Sequence, residues 1–267
     1  MDEIKEIERS IIKKYRKEIW SKFVKGVKDF EMIKENDKIA VCISGGKDSF
    51  LLAKCMQELL RHGKFHYELE FIVMNPGYNE ENLNQIKLNL KRLGIEAHIF
   101  ETPIFEIADT TDNPCYLCAR MRRGYLYSYA QKLGCNKIAL GHHFDDVIET
   151  ILMNMLYNGH YSSMMPKLHS DNFENMELIR PLYFIREKDI KSWVKFNDLK
   201  FIDCACSVTK KNTGKRSEMK EIVQKLNEMY KEADKCIFAS SFNVNLNTVV
   251  GYKKKGVKHS FMDDYDA

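Results

Sequence analysis

The sequence of 267 residues lacks any run of about 18 uncharged apolar residues, the length that a membrane-spanning helix requires. Its first residues are acidic, where a secretory leader would carry a basic region followed by an apolar run. Eight cysteines are too few for a disulfide scaffold, and neither an internal repeat nor a low-complexity tract is present. We therefore expect a globular protein of the cytoplasm, without a membrane partner, in which clustered cysteines serve metal or redox chemistry.

The net charge of +4 is too small to identify a polyanionic partner. Local excesses of basic residues are larger, because residues 186–220 carry ten basic side chains against five acidic ones. Two further basic clusters are Arg120 with Arg122 and Arg123, and the run Lys253, Lys254 and Lys255. Such clusters suit nucleic-acid phosphates, and solvated helix faces are the alternative interpretation for each of them.

Short apolar runs alternate with helical patterns along the middle of the chain. Strands are predicted at 38–43, 69–74, 96–100 and 137–140, and helices from about Asp48, at 80–92, 115–133 and 145–157. This alternation predicts crossover connections and a doubly wound α/β fold, with a parallel sheet covered by helices on both faces. We expect an N-terminal helical segment at 1–36, the main domain at 37–200, and a helical, basic C-terminal segment at 201–267.

The hexamer Ser44-Gly45-Gly46-Lys47-Asp48-Ser49 joins the first predicted strand to the first predicted helix of the main domain. In that position, backbone N–H groups and the positive end of the helix dipole point at an anion. The spacing matches neither the Walker nor the Rossmann pattern. A glycine turn with an aspartate N-cap is the alternative for such a hexamer, but the flanking strand and helix favour a phosphate site. Gly141–Asp146 also follows a strand, so we expect it in the same cleft.

A CxxC pair, Cys115 and Cys118, opens the helix predicted at 115–133. A helix N-terminus lowers the pKa of a thiol, which suits metal capture or redox work. The pair alone is ambiguous among zinc, iron–sulfur and disulfide chemistry. A tetrahedral zinc site would take its second pair from Cys204 and Cys206, whereas three thiolates on an iron–sulfur cluster leave one iron open to another ligand.

Four motifs resemble those of known families. Ser44–Ser49 matches the SGGxDS signature of the PP-loop ATP pyrophosphatases, which cleave ATP between its α and β phosphates and form adenylated intermediates. Cys115–Tyr127 resembles the CxLCxRxRRGxLY segment of the TtcA family, the tRNA 2-thiocytidine synthetases. Gly141–Asp146 is similar to that family's GHHxDD, and Ile179–Leu182 to its RPL stretch. The resemblance runs in order from about Lys38 to Arg216.

The resemblance implies a PP-loop domain that binds ATP, Mg²⁺ and an oxygen-sensitive [4Fe-4S] cluster. It assigns the nucleotide to Ser44, Gly45, Gly46, Lys47, Asp48, Ser49 and Gly141, with Asp48 also holding Mg²⁺. The implied cluster ligands are Cys115, Cys118 and Cys204, because related thiouridine synthetases place an acidic residue, Cys, two residues and Ser at this point. The local spacing departs from the usual TtcA pair, which leaves Cys206 open as the third ligand.

The implied reaction adenylates the C2 oxygen of an anticodon-loop cytidine, at position 32 of tRNA, and replaces that oxygen by sulfur delivered on the cluster. The implied catalytic residues are Asp48, Arg122 and Asp146. Arg122 would stabilise phosphate charge or contact tRNA, and Asp146 would orient the base or the metal. The sulfur donor would be a cysteine desulfurase or free sulfide, and a homodimer is expected.

Neighbouring residues of these motifs carry alternative interpretations. His142 and His143 are catalytic or structural, Asp145 is interpreted as the helix N-cap, and Arg180 binds phosphate or pairs with Asp146.

Three other functions stay open at the level of sequence. Thiolation of a tRNA uridine would use similar cluster ligands, but that group usually brackets the domain with zinc-finger cysteine pairs. A tRNA lysidine synthetase-like ligation shares SGGxDS and does not need the CxxC pair. A zinc-stabilised nucleic-acid binding module would close a four-cysteine site with no open position.

Overall fold

The strands form a mixed sheet in the computed structural model, which describes residues 3–63, 66–108, 114–202 and 214–265. The six strands are β1 Lys38–Ile43, β2 Glu68–Asn75, β3 His98–Glu101, β4 Lys137–Ala139, β5 Lys167–His169 and β6 Glu177–Ile179. Their order is β3-β2-β1-β4-β6-β5. All neighbours are parallel except β5, which pairs antiparallel with β6.

Helices connect the parallel strands, and this confirms the predicted doubly wound α/β fold. In chain order the helices are α1 Glu3–Arg9, α2 Ser21–Asp29, α3 Lys47–His62, α4 Glu80–Arg92, α5 Ile104–Ala108, α6 Pro114–Lys132, α7 Phe144–Asn158, α8 Glu187–Phe196, α9 Lys215–Met229 and α10 Ala233–Ser240. Because β1 and β4 are adjacent and parallel, the loops after both strands lie at the same edge of the sheet.

The N-terminal helices pack into the core of the sheet. Two π-helical stretches, Ser10–Lys14 and Arg16–Trp20, connect α1 to α2. The buried side chains on one face of this segment share a core with β1 and α3 and are Ile7, Ile11, Tyr15, Ile19 and Phe23. The fully buried Lys54 of α3 lies 2.7 Å from Glu8, an ion pair that joins α1 to α3.

The C-terminal part adds two features to the sheet. Phe144, Met219 and Phe238 share a smaller apolar core in which α9 and α10 pack against α7. The chain then forms a hairpin of β7 Gly251–Lys254 and β8 Val257–Ser260, where the sequence had indicated only a helical, basic segment. Within the described ranges, no helix is both long enough and apolar enough to cross a membrane.

Candidate active site

The loop after β1 is closed around the hydroxyl group of Ser49. The Ser49 hydroxyl accepts a hydrogen bond from the Ser44 N–H at 3.1 Å and donates to the Gly46 carbonyl at 2.8 Å. Gly45 has a φ of +91°, which favours glycine, and Gly46 is the extended residue before α3. The Tyr78 hydroxyl donates to the Ser44 carbonyl at 3.1 Å. The loop is therefore preorganised, with the first turn of α3 behind it.

Ile202 covers the outer side of this loop. A Cβ built on Gly45 would lie 2.5 Å from Cδ1 of Ile202 and 2.9 Å from Cδ1 of Ile86. A Cβ built on Gly46 would lie 3.8 Å from the Ser44 hydroxyl oxygen and 3.9 Å from the Ile202 carbonyl oxygen. Phe201 stacks on Phe50 of α3 with ring centroids 5.1 Å apart. Phe201 and Ile202 therefore pack against α3 and the glycine loop.

Asp48 presents an unpaired carboxylate oxygen to the site. Its Oδ2 lies 3.1 Å from Nζ of Lys47, while its Oδ1 is buried and, within the described part of the chain, has no hydrogen-bond partner. The nearest titratable contact is Nε2 of His143, 3.8 Å from Oδ1. A buried carboxylate oxygen without a partner is a ligand that a hard cation such as Mg²⁺ prefers.

The loop after β4 meets the start of α3. A Cβ on Gly141 would lie 3.0 Å from the carbonyl carbon of Asp48 and 3.1 Å from the Ser49 nitrogen, so only glycine allows this close approach. The two loops that were predicted to converge are thus in contact. Their convergence places the first turn of α7 beside the first turn of α3.

Asp146, rather than Asp145, hydrogen-bonds to the backbone at the start of α7. The His143 N–H donates to Oδ2 of Asp146 at 2.9 Å, and Arg216 donates to Oδ1 at 3.1 Å. The interpretation of Asp145 as the N-cap is wrong, because its Oδ2 accepts the Glu187 N–H at 2.7 Å and so joins α7 to α8. His143 is the N-cap residue, with extended backbone.

Burial and charge set the protonation states at this edge. Burial alone would raise the pKa of Asp146, but His143, His142 and Arg216 outweigh it and hold that pKa below its usual range. Burial, with the nearby charge of Arg180, lowers the pKa of His142 to about 4. Near neutral pH the site therefore holds an ionised Asp146 and a neutral His142.

Two adjoining cavities open from these loops. The first, of ≈ 280 Å³, is lined by residues that include Ser44, Asp48, Arg122, His142 and Asp146. The second, of ≈ 760 Å³, shares Arg122 and His142 with the first. Nε of Arg122 and Nδ1 of His142 are buried and find no hydrogen-bond partner in the described ranges. All three residues predicted to be catalytic thus line one cavity.

The structure places part of the predicted cluster site. Cys118 is half-buried on α6, one helical turn before Arg122. The backbone of Cys115 lies in the first turn of α6, but its side chain is outside the described structure, as are Cys204 and Cys206. Among the described residues, no group of three or more His, Cys, Asp or Glu side chains could hold a metal ion. The cluster ligands therefore stay a prediction.

Lys47 belongs to an ion-pair cluster with Glu187 rather than pointing freely into the loop. Its Nζ lies 3.0 Å from Oε1 of Glu187, whose Oε2 lies 3.1 Å from Lys191 and 3.3 Å from Lys220. Burial alone would raise the pKa of Glu187, but Lys47 and the other lysines lower it to about 2. Glu149, also beside Lys220 at 3.8 Å, is more weakly paired, and its burial raises its pKa to about 7.

Three contributors to the site were missed by reasoning from sequence: Tyr78, Ile202 and the Arg216–Asp146 pair. Arg216 was counted only as one of the basic residues in 186–220. No local pattern could have paired it with a carboxylate 70 residues earlier. The alternative that Arg180 pairs with Asp146 is not what is observed, since its Nη1 donates to the Met165 carbonyl.

Comparison with known proteins agrees with this geometry. A family model described as a PP-loop domain matches residues 15–226. A tRNA-cytidine(32) 2-sulfurtransferase of Syntrophotalea carbinolica is 38% identical over 208 residues, 76% of this chain and 80% of the relative. The enzyme of the same name from Geobacter metallireducens is 37% identical over 218 residues, 80% of this chain and 84% of the relative.

A solved structure shares the fold. The U34-tRNA thiolase NcsA from Methanococcus maripaludis, determined with its [4Fe-4S] cluster, superposes with a TM-score of 0.66. The match covers 83% of this chain and 76% of the thiolase at 23% sequence identity. This similarity supports the PP-loop α/β architecture.

Proposed function

The chain belongs to the tRNA-cytidine(32) 2-sulfurtransferase family of PP-loop proteins, and from that premise we propose that it replaces the C2 oxygen of cytidine 32 in tRNA by sulfur at the expense of ATP. One observation carries the proposal: Asp48, Arg122 and Asp146, from three separate elements, line a single cavity under the glycine loop. A phosphate cradle, a cation ligand and a free guanidinium are what adenylation requires.

The glycine loop fits the phosphates of ATP. Ser44, Gly45, Gly46 and Ser49 surround the N-terminus of α3, where backbone N–H groups and the helix dipole attract an anion. The unpaired Oδ1 of Asp48 would hold Mg²⁺ against those phosphates. Gly141 keeps the opposite wall close to this turn. Lys47, tied to Glu187, would contribute charge from the side of the cradle.

Adenylation provides a leaving group for an exchange that is otherwise slow. The cytidine O2 attacks the α phosphorus, the new O2–P bond forms, and the bond to the β-phosphate oxygen breaks to release pyrophosphate. A sulfur nucleophile at the oxidation level of sulfide then attacks C2, the C2–O bond breaks, and AMP leaves. No external oxidant or reductant is needed in this sequence of steps.

The side chains of the first cavity have distinct roles in the proposal. Arg122, with a buried and unpartnered Nε, would donate to the phosphate oxygens as negative charge develops on them. Asp146, held ionised by its neighbours, would orient the base or the metal. The hydrogen bonds from His143 and Arg216 fix Asp146 in place before the reaction, which limits the cost of reorganisation.

The cluster would be held by Cys115, Cys118 and Cys204, with Cys206 as the alternative third ligand. Two described contacts support a thiolate site here: Cys118 lies one turn from Arg122, and Ile202, two residues before Cys204, lies on the glycine loop. Arg216, beyond the segment that carries Cys204, contacts Asp146 at the same site. When bound, a three-thiolate cluster supplies a Lewis-acidic iron with one open position.

The partners follow from the reaction. The substrate is tRNA, and the sulfur would come from a cysteine desulfurase or from free sulfide. We also propose a homodimer as the working unit and the cytoplasm, where tRNA is modified, as its compartment.

The direct test is a deletion strain whose tRNA nucleosides are profiled by mass spectrometry. We expect 2-thiocytidine to disappear and to return when the wild-type gene is restored. Asp48→Asn should not restore it, because the cation ligand is lost. Asp29→Asn is the control, since that exposed carboxylate forms a surface ion pair with Lys25 on α2. Unchanged thionucleosides with lost lysidine would instead indicate a lysidine synthetase.

A further inference from the structure

The larger cavity lies on the far side of Arg122 and His142 from the glycine loop. Its volume of ≈ 760 Å³ falls within the usual range for small-ligand pockets and is ample for a nucleoside. Apolar side chains form much of its wall, among them Leu126, Leu140 and Leu178. The two cavities share four lining residues, Arg122, Leu126, Leu140 and His142, so a group bound in the larger cavity would reach the first cavity past these side chains.

The charged residues of this cavity are mostly cationic. Arg122, Arg123, Arg180 and Arg216 line it, and Asp171 is the acidic residue among its lining. Such a wall attracts a polynucleotide, because the positively charged arginines would bind its phosphates at the rim of the cavity. An apolar cleft with a cationic rim suits a base that has been turned out of an RNA loop.

Arg180 is the most constrained of these arginines. It follows the last residue of β6, and its Nη1 is fixed by the Met165 carbonyl. Its Nε is buried and has no hydrogen-bond partner among the described residues. Burial lowers its pKa to about 10, so it stays charged near neutral pH. A guanidinium can only donate, so its Nε–H can bond to an acceptor on a group that enters the cavity.

The pyrimidine edge offers such an acceptor in cytosine and not in uracil. When O2 faces the nucleotide in the first cavity, the neighbouring ring atom N3 faces the larger cavity. N3 of cytosine carries a lone pair, whereas N3 of uracil carries a hydrogen that would oppose the guanidinium. Neutral His142, with its unpartnered Nδ1, can accept a hydrogen from the 4-amino group of cytosine when its proton is on Nε2.

We propose that the ≈ 760 Å³ cavity receives the target cytosine, and that Arg180 selects cytosine over uracil by donating to N3, with His142 accepting from the 4-amino group. This inference rests on the proposed function and goes further, because it names the residues that set the choice of base. Arg180 is a specificity-determining residue in this scheme. Arg122 and Asp146 remain the groups that serve the phosphate chemistry.

The test measures the adenylation step by itself. The holoenzyme is mixed with ATP and with tRNAs assembled by ligation that carry cytidine, 3-deazacytidine or uridine at position 32, and tRNA-dependent pyrophosphate release is followed. The 3-deaza base has a C–H in place of the N3 lone pair and leaves O2 and the amino group unchanged. We expect the wild-type rate to fall by roughly 10- to 100-fold with 3-deazacytidine and at least as far with uridine.

Arg180→Met completes a double-mutant cycle with the 3-deaza base. If Arg180 donates to N3, the rate of the variant on cytidine is lower than the wild-type rate by about the same factor. Replacing cytidine by 3-deazacytidine then lowers the rate of the variant no further. Arg123→Met is the matched control: it removes a positive charge from the same cavity, so it should weaken tRNA binding equally for both bases and leave their ratio unchanged.

Each outcome decides the matter. Equal wild-type rates on cytidine and 3-deazacytidine would overturn the role of Arg180 while leaving cytidine adenylation intact. The same conclusion would follow if the rate reductions caused by Arg180→Met and by the 3-deaza base multiplied when the two changes were combined. The wild-type comparison of the two bases needs no variant, so it stands even if Arg180→Met does not fold. Absence of pyrophosphate release with every tRNA would refute the proposed function itself.

Discussion

Arg216 holds Asp146 at 3.1 Å, although the two residues are 70 positions apart. The other carboxylate oxygen of Asp146 accepts the His143 N–H, so both oxygens of this side chain are oriented by the protein. The contact fastens the beginning of α9 to the beginning of α7. A carboxylate fixed in this way is suited to position a base or a metal, because its geometry does not change during the reaction.

Arg216→Met should move the acid limb of the rate profile for pyrophosphate release to higher pH. Arg216 helps to lower the pKa of Asp146, so its loss raises that pKa and protonates Asp146 earlier as the pH falls. We expect the profile to return towards that of the wild type in Arg216→Lys, which restores the positive charge. Lys215→Met, which removes the neighbouring positive charge and its contact with the Tyr157 ring, is the control and should not shift the profile.

Gly45→Ala should weaken ATP binding by about tenfold or more, because its Cβ would displace Ile202 and disturb N–H groups that face the phosphates. Gly134→Ala is a matched control, with a φ of +74° and open space around its Cβ. Both variants should lose about 1–2 kcal/mol of unfolding free energy from left-handed strain. Calorimetric titration with ATP and thermal unfolding measure the two effects, and equal ATP affinities would contradict a phosphate cradle at this loop.

Cys118→Ser should abolish the brown colour and the bound iron after anaerobic reconstitution. The same loss of colour and iron in Cys204→Ser, but not in Cys206→Ser, would identify Cys204 as the third ligand. Cys236→Ser, at an exposed thiol outside these motifs, is the control and should retain its iron. Iron and zinc analysis of each variant gives the measurement. A colourless wild-type protein that retains zinc would favour the closed four-cysteine site instead.

Glu187→Gln should destabilise the protein at pH 7 and matter less in acid. The pKa of Glu187 is lowered by Lys47 from 4.5 to about 2, so its contribution is full above about pH 4.5 and is lost as the pH falls towards 2. After allowance for solvent screening we expect about 1 kcal/mol. Urea unfolding at pH 7 and pH 3 compares the two proteins, and a difference that does not shrink at pH 3 would contradict the ion-pair explanation.

Glu149→Gln should have the opposite effect and increase the free energy of unfolding above neutral pH. Burial raises the pKa of Glu149 from 4.5 to about 7, so the carboxyl is tolerated at low pH, and its ionisation costs stability as the pH rises through that range. The neutral glutamine avoids this cost, so the variant should gain about 1 kcal/mol at pH 8 and nothing at pH 4. The same urea series tests it, and a loss of stability at pH 8 would show that the pairing with Lys220 prevails.

The nucleotide half of the fold could be predicted because its signals are local. After Lys38, β1 is a continuous apolar run that ends at the glycine loop, and its predicted bounds agree with the structure. The helix Glu80–Arg92 was also predicted correctly, since Asn79 caps its start and Gly94 follows its end. Such signals lie within a few residues of the element that they define.

The missed elements depend on distant partners. β5 and β6 have three residues each, too few for an alternating pattern, and they exist because they pair with each other and with β4. The hairpin of β7 and β8 turns at Lys255-Gly256 inside a lysine-rich run that indicated a charged tail. The walls of the site share this limitation, since Ile202 and Arg216 reach it only through the folded chain.

The apolar cover that Ile202 and Ile86 place over Gly45 has a chemical consequence for an activated base. Water attacks an adenylated carbon as sulfur does, and its attack would return cytidine and AMP, so that ATP would be hydrolysed without product. Two branched aliphatic side chains packed on the loop would keep solvent away from that side of bound phosphates. We therefore expect Ile202 to limit the access of water to the activated base from this side, in addition to its packing on the loop.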